Sequence, residues 1–211
     1  RIEEIAGAFG TLVARAEVGE ANVVNRAREL RAEGYEVRIL GEGSNGGNIT
    51  HPAAVRDPLN SIFALIKLLA IKDSKNSDGS TKKGLFHLWC SLSNQEDKYK
   101  EDFSLIDVIE TLPVYTTTGV SESRALLKIT TTDHAVLKSK YQTVFENQWP
   151  TKKAYLEEKY GISEYEAICN NGTKETRNIS DYSISGKGGL KILLKNNKKE
   201  NLAFIWMRGS G

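Results

Sequence analysis

A helix that crosses a bilayer needs roughly 18 or more consecutive apolar residues, and nothing in this 211-residue sequence comes near that length. A membrane-spanning helix is therefore excluded. Cysteine is scarce as well: Cys90 and Cys169 stand far apart, which argues against a metal knuckle or a disulfide framework and fits a reducing, cytoplasmic compartment. The three histidines, His51, His87 and His134, are scattered without a helical ligand spacing, so metal binding through them is not expected. Net charge is nearly absent too. With 29 basic residues against 27 acidic ones the balance is +2, so no general field draws the molecule to nucleic acid. Any anion site has to be local.

What is present is ordinary for a soluble globular protein: 39% hydrophobic and 27% charged residues. The length suits two domains. Three Asn-x-Ser/Thr triplets begin at Asn48, Asn171 and Asn178, but no secretory signal gives them meaning. The sequence opens on Arg1 rather than Met, in what reads as a helix in progress, as a fragment or a processed chain would.

Along the first seventy residues strand and helix signals alternate. Residues 9–15 read as a short strand. Residues 20–31 read as a helix with Ala21, Val24, Ala27 and Leu30 at helical spacing and Gly34 as its stop, and residues 37–40 as a strand. A second helix is predicted where Asp57 can cap, Pro58 suits the first turn, and Leu59, Ile62, Phe63, Ile66 and Leu69 recur at steps of three and four. Leu65 and Leu68 widen its apolar face, which predicts deep packing against a sheet. Residues 72–83 turn polar and mark a surface loop or boundary.

Apolar residues return in 84–93 and in a helix around Leu105, Val108 and Ile109 that Pro113 ends. Further on, the pattern predicts a strand over 124–130 and a helix over 133–147 capped by Asp133. A further helix over 151–160 stopped by Gly161, and strands around 165–169, 190–194 and 203–207, complete it. Helices against an antiparallel sheet make the later part α+β. The expected division is an α/β domain over residues 1–85 and an α+β domain over 86–211.

Two loops carry the chemistry. Gly41-Glu42-Gly43-Ser44-Asn45-Gly46-Gly47-Asn48 follows a strand and suits no regular element. Its glycines allow close backbone approach, while Glu42 and Ser44 offer an acceptor and a donor suited to neighbouring sugar hydroxyls. A plain Gly-rich connection remains the other reading of that composition. It is no Walker loop, because Gly-Lys-Ser/Thr is missing and its carboxylate would repel phosphate. At the far end, Arg208-Gly209-Ser210-Gly211 follows an apolar strand. A guanidinium, a hydroxyl and glycine amides make a phosphate nest, or the four residues are a fraying tail. Lys187-Gly188-Gly189 beside Ser183 and Ser185 is a weaker anion candidate that also reads as a turn.

In order, these pieces resemble the α-D-phosphohexomutase superfamily, the phosphoglucomutase and phosphomannomutase family. Glu17-Val18-Gly19-Glu20 stands before a helix, Gly41-Glu42-Gly43-Ser44-Asn45-Gly46 follows a strand, and Arg56-Asp57 opens an apolar helix. Arg208-Gly209-Ser210-Gly211 then ends a strand. The resemblance covers nearly the whole chain, as the C-terminal half of a four-domain enzyme. It implies a partial domain-3-like α/β region and a domain-4-like, TATA-binding-protein-like α+β region. It further implies interconversion of hexose 1-phosphate and hexose 6-phosphate through a bisphosphorylated sugar.

By position, Gly41, Glu42, Ser44 and Asn45 would bind the sugar, with Glu42 and Ser44 meeting its 3- and 4-hydroxyls. Arg208, Ser210 and the amides of Gly209 and Gly211 would grip the phosphate that is not transferred. The catalytic phosphoserine and the aspartates that hold magnesium have no counterpart here, so no catalytic residue and no Mg2+ ligand is expected in this chain. A hexose phosphate is the implied partner, with neither nucleic acid nor membrane; oligomeric state is left open. Two departures stand out. Asn45-Gly46 replaces the Gly-His of many phosphomannomutase-type members, and Ala16 stands where relatives often carry Thr.

Overall fold

The computed structural model describes residues 1–42, 48–119 and 122–209. In chain order its helices and strands are α1 (Ile2–Ala8), α2 (Glu20–Ala32), β1 (Ile39–Gly41), β2 (Asn48–Thr50), α3 (Pro58–Ala70), β3 (Ser74–Lys75) and β4 (Thr81–Lys82). There follow α4 (Leu85–Leu92), α5 (Leu105–Glu110), α6 (His134–Tyr160), β5 (Glu164–Asn171), β6 (Lys174–Arg177), β7 (Gly189–Lys195) and β8 (Asn201–Met207). Two compact units result, and each draws on two separate stretches of chain. One comprises residues 1–14 and 56–127, the other 15–55 and 128–211. The chain thus passes from one unit to the other at 14/15, 55/56 and 127/128, rather than at the single cut expected after residue 85.

In the first unit Asp57 caps α3 as its position predicts, its Oδ1 accepting from the amides of Leu59 and Asn60 at 3.0 and 3.2 Å. The deep packing expected of this helix is not found. Leu68 and Leu69 at its C-terminal end pack onto a core of Phe86, Trp89, Cys90, Phe103 and Val108. Leu59, Ile62, Phe63, Leu65 and Ile66 stay 44–65% exposed. Periodicity records an apolar face, not what covers it. Ser104 and Asp107 form a capping box that starts α5. The polar stretch after α3 folds back as the small β3–β4 hairpin. The strand expected over 9–15 is absent: α1 runs to Ala8, Phe9 stacks on Trp89 at 6.3 Å, and Leu12 is exposed. The strand expected over 124–130 is absent too, a short helical turn at Ser123–Ala125 taking its start.

The second unit is built on a four-stranded antiparallel sheet of order β6-β5-β7-β8. Residues 166–170 of β5 are all buried, so both faces of that strand are covered. Tyr141 and Phe145 of α6 pack on one face with Tyr165, Ala167, Leu190 and Ile192, and Trp149 meets Tyr165 edge-on at 4.7 Å. The two helices expected on either side of Pro150 are one continuous helix, ended by Gly161 in the left-handed conformation at φ 71°. β1 and β2 pair with each other as an antiparallel hairpin, and among the described residues every paired strand is antiparallel.

Candidate functional site

The sugar-loop candidate is framed by the β1–β2 hairpin. Leu40 lies opposite Ile49, and both side chains are buried with Val24 and Ala27 of α2. Gly41 then pairs with Asn48, so the two ends of the Gly-rich segment are held about 5 Å apart, as opposed antiparallel residues are. Both residues thereby belong to strands, where a wholly irregular loop was expected. Glu42, the next residue, is half-buried. Ser44 and Asn45 lie outside the described residues.

The Glu17-Val18-Gly19 segment sits in the same unit. Gly19 precedes α2 with φ 137°, a backbone conformation that favours glycine. The carbonyl of Val18 accepts from Asn22 Nδ2 at 3.3 Å and from Arg208 Nη1 at 3.4 Å. Glu17 binds the tip of the β5–β6 hairpin twice, its amide donating to the Gly172 carbonyl and its carboxylate accepting from the Gly172 amide, both at 2.9 Å. Arg208 follows β8, half-buried, and its Nε donates to the Gly209 carbonyl at 3.0 Å. Two of its donor atoms thus hold its position. Its Nη2 makes no hydrogen bond among the described residues and is available to an anion.

Gly209 is buried, and its amide donates to the Lys187 carbonyl at 3.0 Å. The resemblance expects that amide to grip phosphate; here it donates to the Lys187 carbonyl. The cause is the Lys187-Gly188-Gly189 turn, which approaches the end of β8 closely enough to take the donor. A Cβ on Gly209 would lie 2.8 Å from Cε1 of His134, so a larger residue there would have to displace that ring. Beneath the turn lies Lys138, fully buried, whose Nζ donates to the carbonyls of Gly186 and Gly188 at 2.7 and 2.6 Å. Burial pushes the pKa of this ammonium below its ordinary value. Ser210 and Gly211 lie outside the described residues.

Sequence reasoning set His134 aside as one of three scattered histidines and missed Lys138. They are one turn apart on α6, and only their helical spacing was legible; nothing tied them to Arg208. His87, Asp73 and the two cysteines have structural duties. His87 Nδ1 lies 2.7 Å from Asp73 Oδ2 and its ring stacks on Tyr99 at 4.0 Å, while Asp73 also accepts from the Gly84 amide. Burial raises the pKa of both cysteine thiols, so each behaves as a small apolar side chain. Among the described residues no group of three or more His, Cys, Asp or Glu could hold a metal ion, and no helix is long and apolar enough to cross a membrane. A cleft of about 430 Å3 beside Trp89, Thr111 and Pro113 contains none of the candidate residues. No family model matches the sequence, and no curated protein or solved structure matches it.

Proposed function

We propose that this chain is the substrate-recognition half, the C-terminal half, of a phosphohexomutase of the phosphoglucomutase/phosphomannomutase type. Such an enzyme, in the cytoplasm, interconverts hexose 1-phosphate and hexose 6-phosphate through a bisphosphate intermediate. The observation that carries this reading is the contact between Arg208 and the Val18 carbonyl. Two motif segments 190 residues apart in sequence meet in one unit that also contains Gly41 and Glu42. A sugar-phosphate site built from both loops needs them in one unit.

In this reading Glu42 accepts hydrogen bonds from sugar hydroxyls, Ser44 and Asn45 complete the sugar contacts, and Arg208 and Ser210 hold the phosphate that is not transferred. Gripping the unreactive phosphate makes physical sense, because binding energy from a remote group positions the reacting one. The phosphoserine and the magnesium ion of such an enzyme belong to segments outside this chain. The acidic residues described here do not form a set that would hold the ion, so no step is drawn through it.

The gene product that contains this chain is expected to convert glucose 1-phosphate or mannose 1-phosphate to the 6-phosphate in a coupled assay with Mg2+. The 211-residue chain alone is expected to bind the sugar phosphate without turning it over. Arg208→Ala should weaken that binding at least about tenfold, the usual loss for a charged hydrogen bond, and Glu42→Ala should weaken it through the sugar. Turnover by the isolated chain would sink the proposal. Binding with no turnover by the whole gene product would instead make the protein a non-catalytic sugar-phosphate-binding module.

A further inference from the structure

A buried lysine is costly unless its charge is compensated, and Lys138 has no carboxylate within salt-bridge distance among the described residues. Its ammonium is fully buried and satisfied by the carbonyls of Gly186 and Gly188. The peptide between those two carbonyls is that of Lys187, whose own carbonyl receives the Gly209 amide. Gly188 has no room for a side chain: a Cβ there would lie 2.7 Å from the Asn170 carbonyl oxygen. The turn is therefore held from below by Lys138 and from the β5 side by backbone. On its other flank Gly209 is walled by the ring of His134. One helix thus supplies, four residues apart, both the clamp under the turn and the wall beside Gly209, and Arg208 is the residue this arrangement presents.

We propose that His134 and Lys138 are positioning residues for a phosphate-monoester site at Arg208. The proposal rests on the reading of Arg208 as a phosphate ligand. His134 holds Gly209 against the turn, so that the guanidinium keeps its orientation between the Val18 and Gly209 carbonyls. Lys138 holds the 186–188 carbonyls inward. Pre-fixing the loop lowers the ordering cost of binding.

The test is calorimetric titration of the 211-residue chain with glucose 6-phosphate, and separately with inorganic phosphate, for wild type, Arg208→Ala, His134→Ala, His134→Asn and Lys138→Met. Thermal unfolding of each variant is recorded without ligand. His134→Ala and Lys138→Met are expected to weaken both ligands about tenfold, the loss of one good hydrogen bond or its equivalent. His134→Ala should move the unliganded melting temperature by less than about 4 °C, corresponding to under about one hydrogen bond of stability, and His134→Asn should recover most of the affinity. If Arg208→Ala abolishes binding while His134→Ala and Lys138→Met stay within about twofold of wild type, the positioning role is wrong and the phosphate site stands. If wild type binds neither ligand, or Arg208→Ala binds as wild type does, the phosphate reading itself fails and takes this inference with it. Should Lys138→Met not fold, His134→Ala alone decides, and affinity within about twofold of wild type overturns the proposal.

Discussion

Glu166, at the centre of β5, illustrates how single residues hold the second unit together. Its carboxylate is buried and receives the Arg177 guanidinium through hydrogen bonds of 2.8 Å to each oxygen, and Lys195 Nζ donates to Oε2 as well. Burial acts to raise its pKa, but the hydrogen bonds and charges of Arg177 and Lys195 outweigh that and set it below the usual carboxylate range. A lowered folded-state pKa means that the stabilisation is fully present above the unfolded value near about 4.3 and is lost as pH falls through the folded value. Glu166→Gln is therefore expected to lower stability by about 2 kcal/mol at pH 7, where two cations lose their partner. The variant should also lose less stability than wild type on acidification from pH 5 to pH 3. Urea midpoints at the two pH values check both statements, and an equal acid loss in the two proteins would show that Glu166 does not carry the effect. Legibility at this scale was uneven. Glu42 and Arg208 could be picked out because glycines flank them, but Lys138 reads in sequence as one more cation on a polar helix face. The carbonyls that satisfy it, of Gly186 and Gly188, come from a turn some fifty residues later.

At the level of helices and strands, local chemistry was readable wherever it closes within a turn. Asp57, Asp133 and Gly161 mark helix ends where the sequence predicts them, because each cap needs only its neighbours. The three main strands of the later sheet were readable from their apolar runs, whereas β6, whose residues are Lys-Glu-Thr-Arg, offers no apolar signal and exists only by pairing with β5. Two helices were expected, over 133–147 and 151–160, and Pro150 between them is instead interior to the single helix α6. Its meaning survives in the packing: Tyr141, Phe145 and Trp149 before it meet the sheet or its flanking ring contacts, while only Leu156 among residues 151–160 is even partly covered. Since a proline costs an interior helix position up to about 3 kcal/mol, Pro150→Ala should raise the melting temperature of the second unit. A lowered melting temperature would mean that the proline itself is needed for the aromatic packing. For α3 the expected outcome runs against its composition. Phe63→Lys and Leu59→Lys should each change stability by less than about 0.5 kcal/mol, as exposed substitutions do, where Phe86→Ala in the core should cost about 3–5 kcal/mol. Matching urea midpoints for the α3 variants, with weaker binding of an apolar dye, would check that the face is open in solution.

For the molecule as a whole, the decisive property is that its two units alternate along the chain. Residues 15–55 belong with 128–211, tied by the Glu17 contacts with Gly172, by Thr173 Oγ1 donating to Glu29 at 2.8 Å, and by Arg208 donating to Val18. Residues 1–14 and 56–84 belong with 85–127, because Ile5, Ala8, Leu68 and Leu69 pack on Phe86 and its neighbours. A division at residue 85 was the natural reading of a linear sequence, since the polar stretch after α3 looks like a linker and the elements change character beyond it. Hydrogen bonds and apolar contacts nevertheless pair early segments with late ones, which no local signal announces. Cutting there severs both units at once. A piece spanning 128–211 keeps α6, the four strands and their buried cluster, and is expected to unfold cooperatively, at a lower temperature than the whole chain because it lacks contacts worth about 1 kcal/mol each. A piece spanning 86–211 carries an orphaned part of the first unit, and trypsin should trim it back close to residue 128, as mass spectrometry would show. Residues 1–85 alone should show no cooperative transition. Protease resistance of the entire 86–211 piece, with a sharp melt for 1–85, would mean that the chain folds as two consecutive blocks. Arg208 and Val18 would then be brought together only by association of separately stable parts, not by the folding of one.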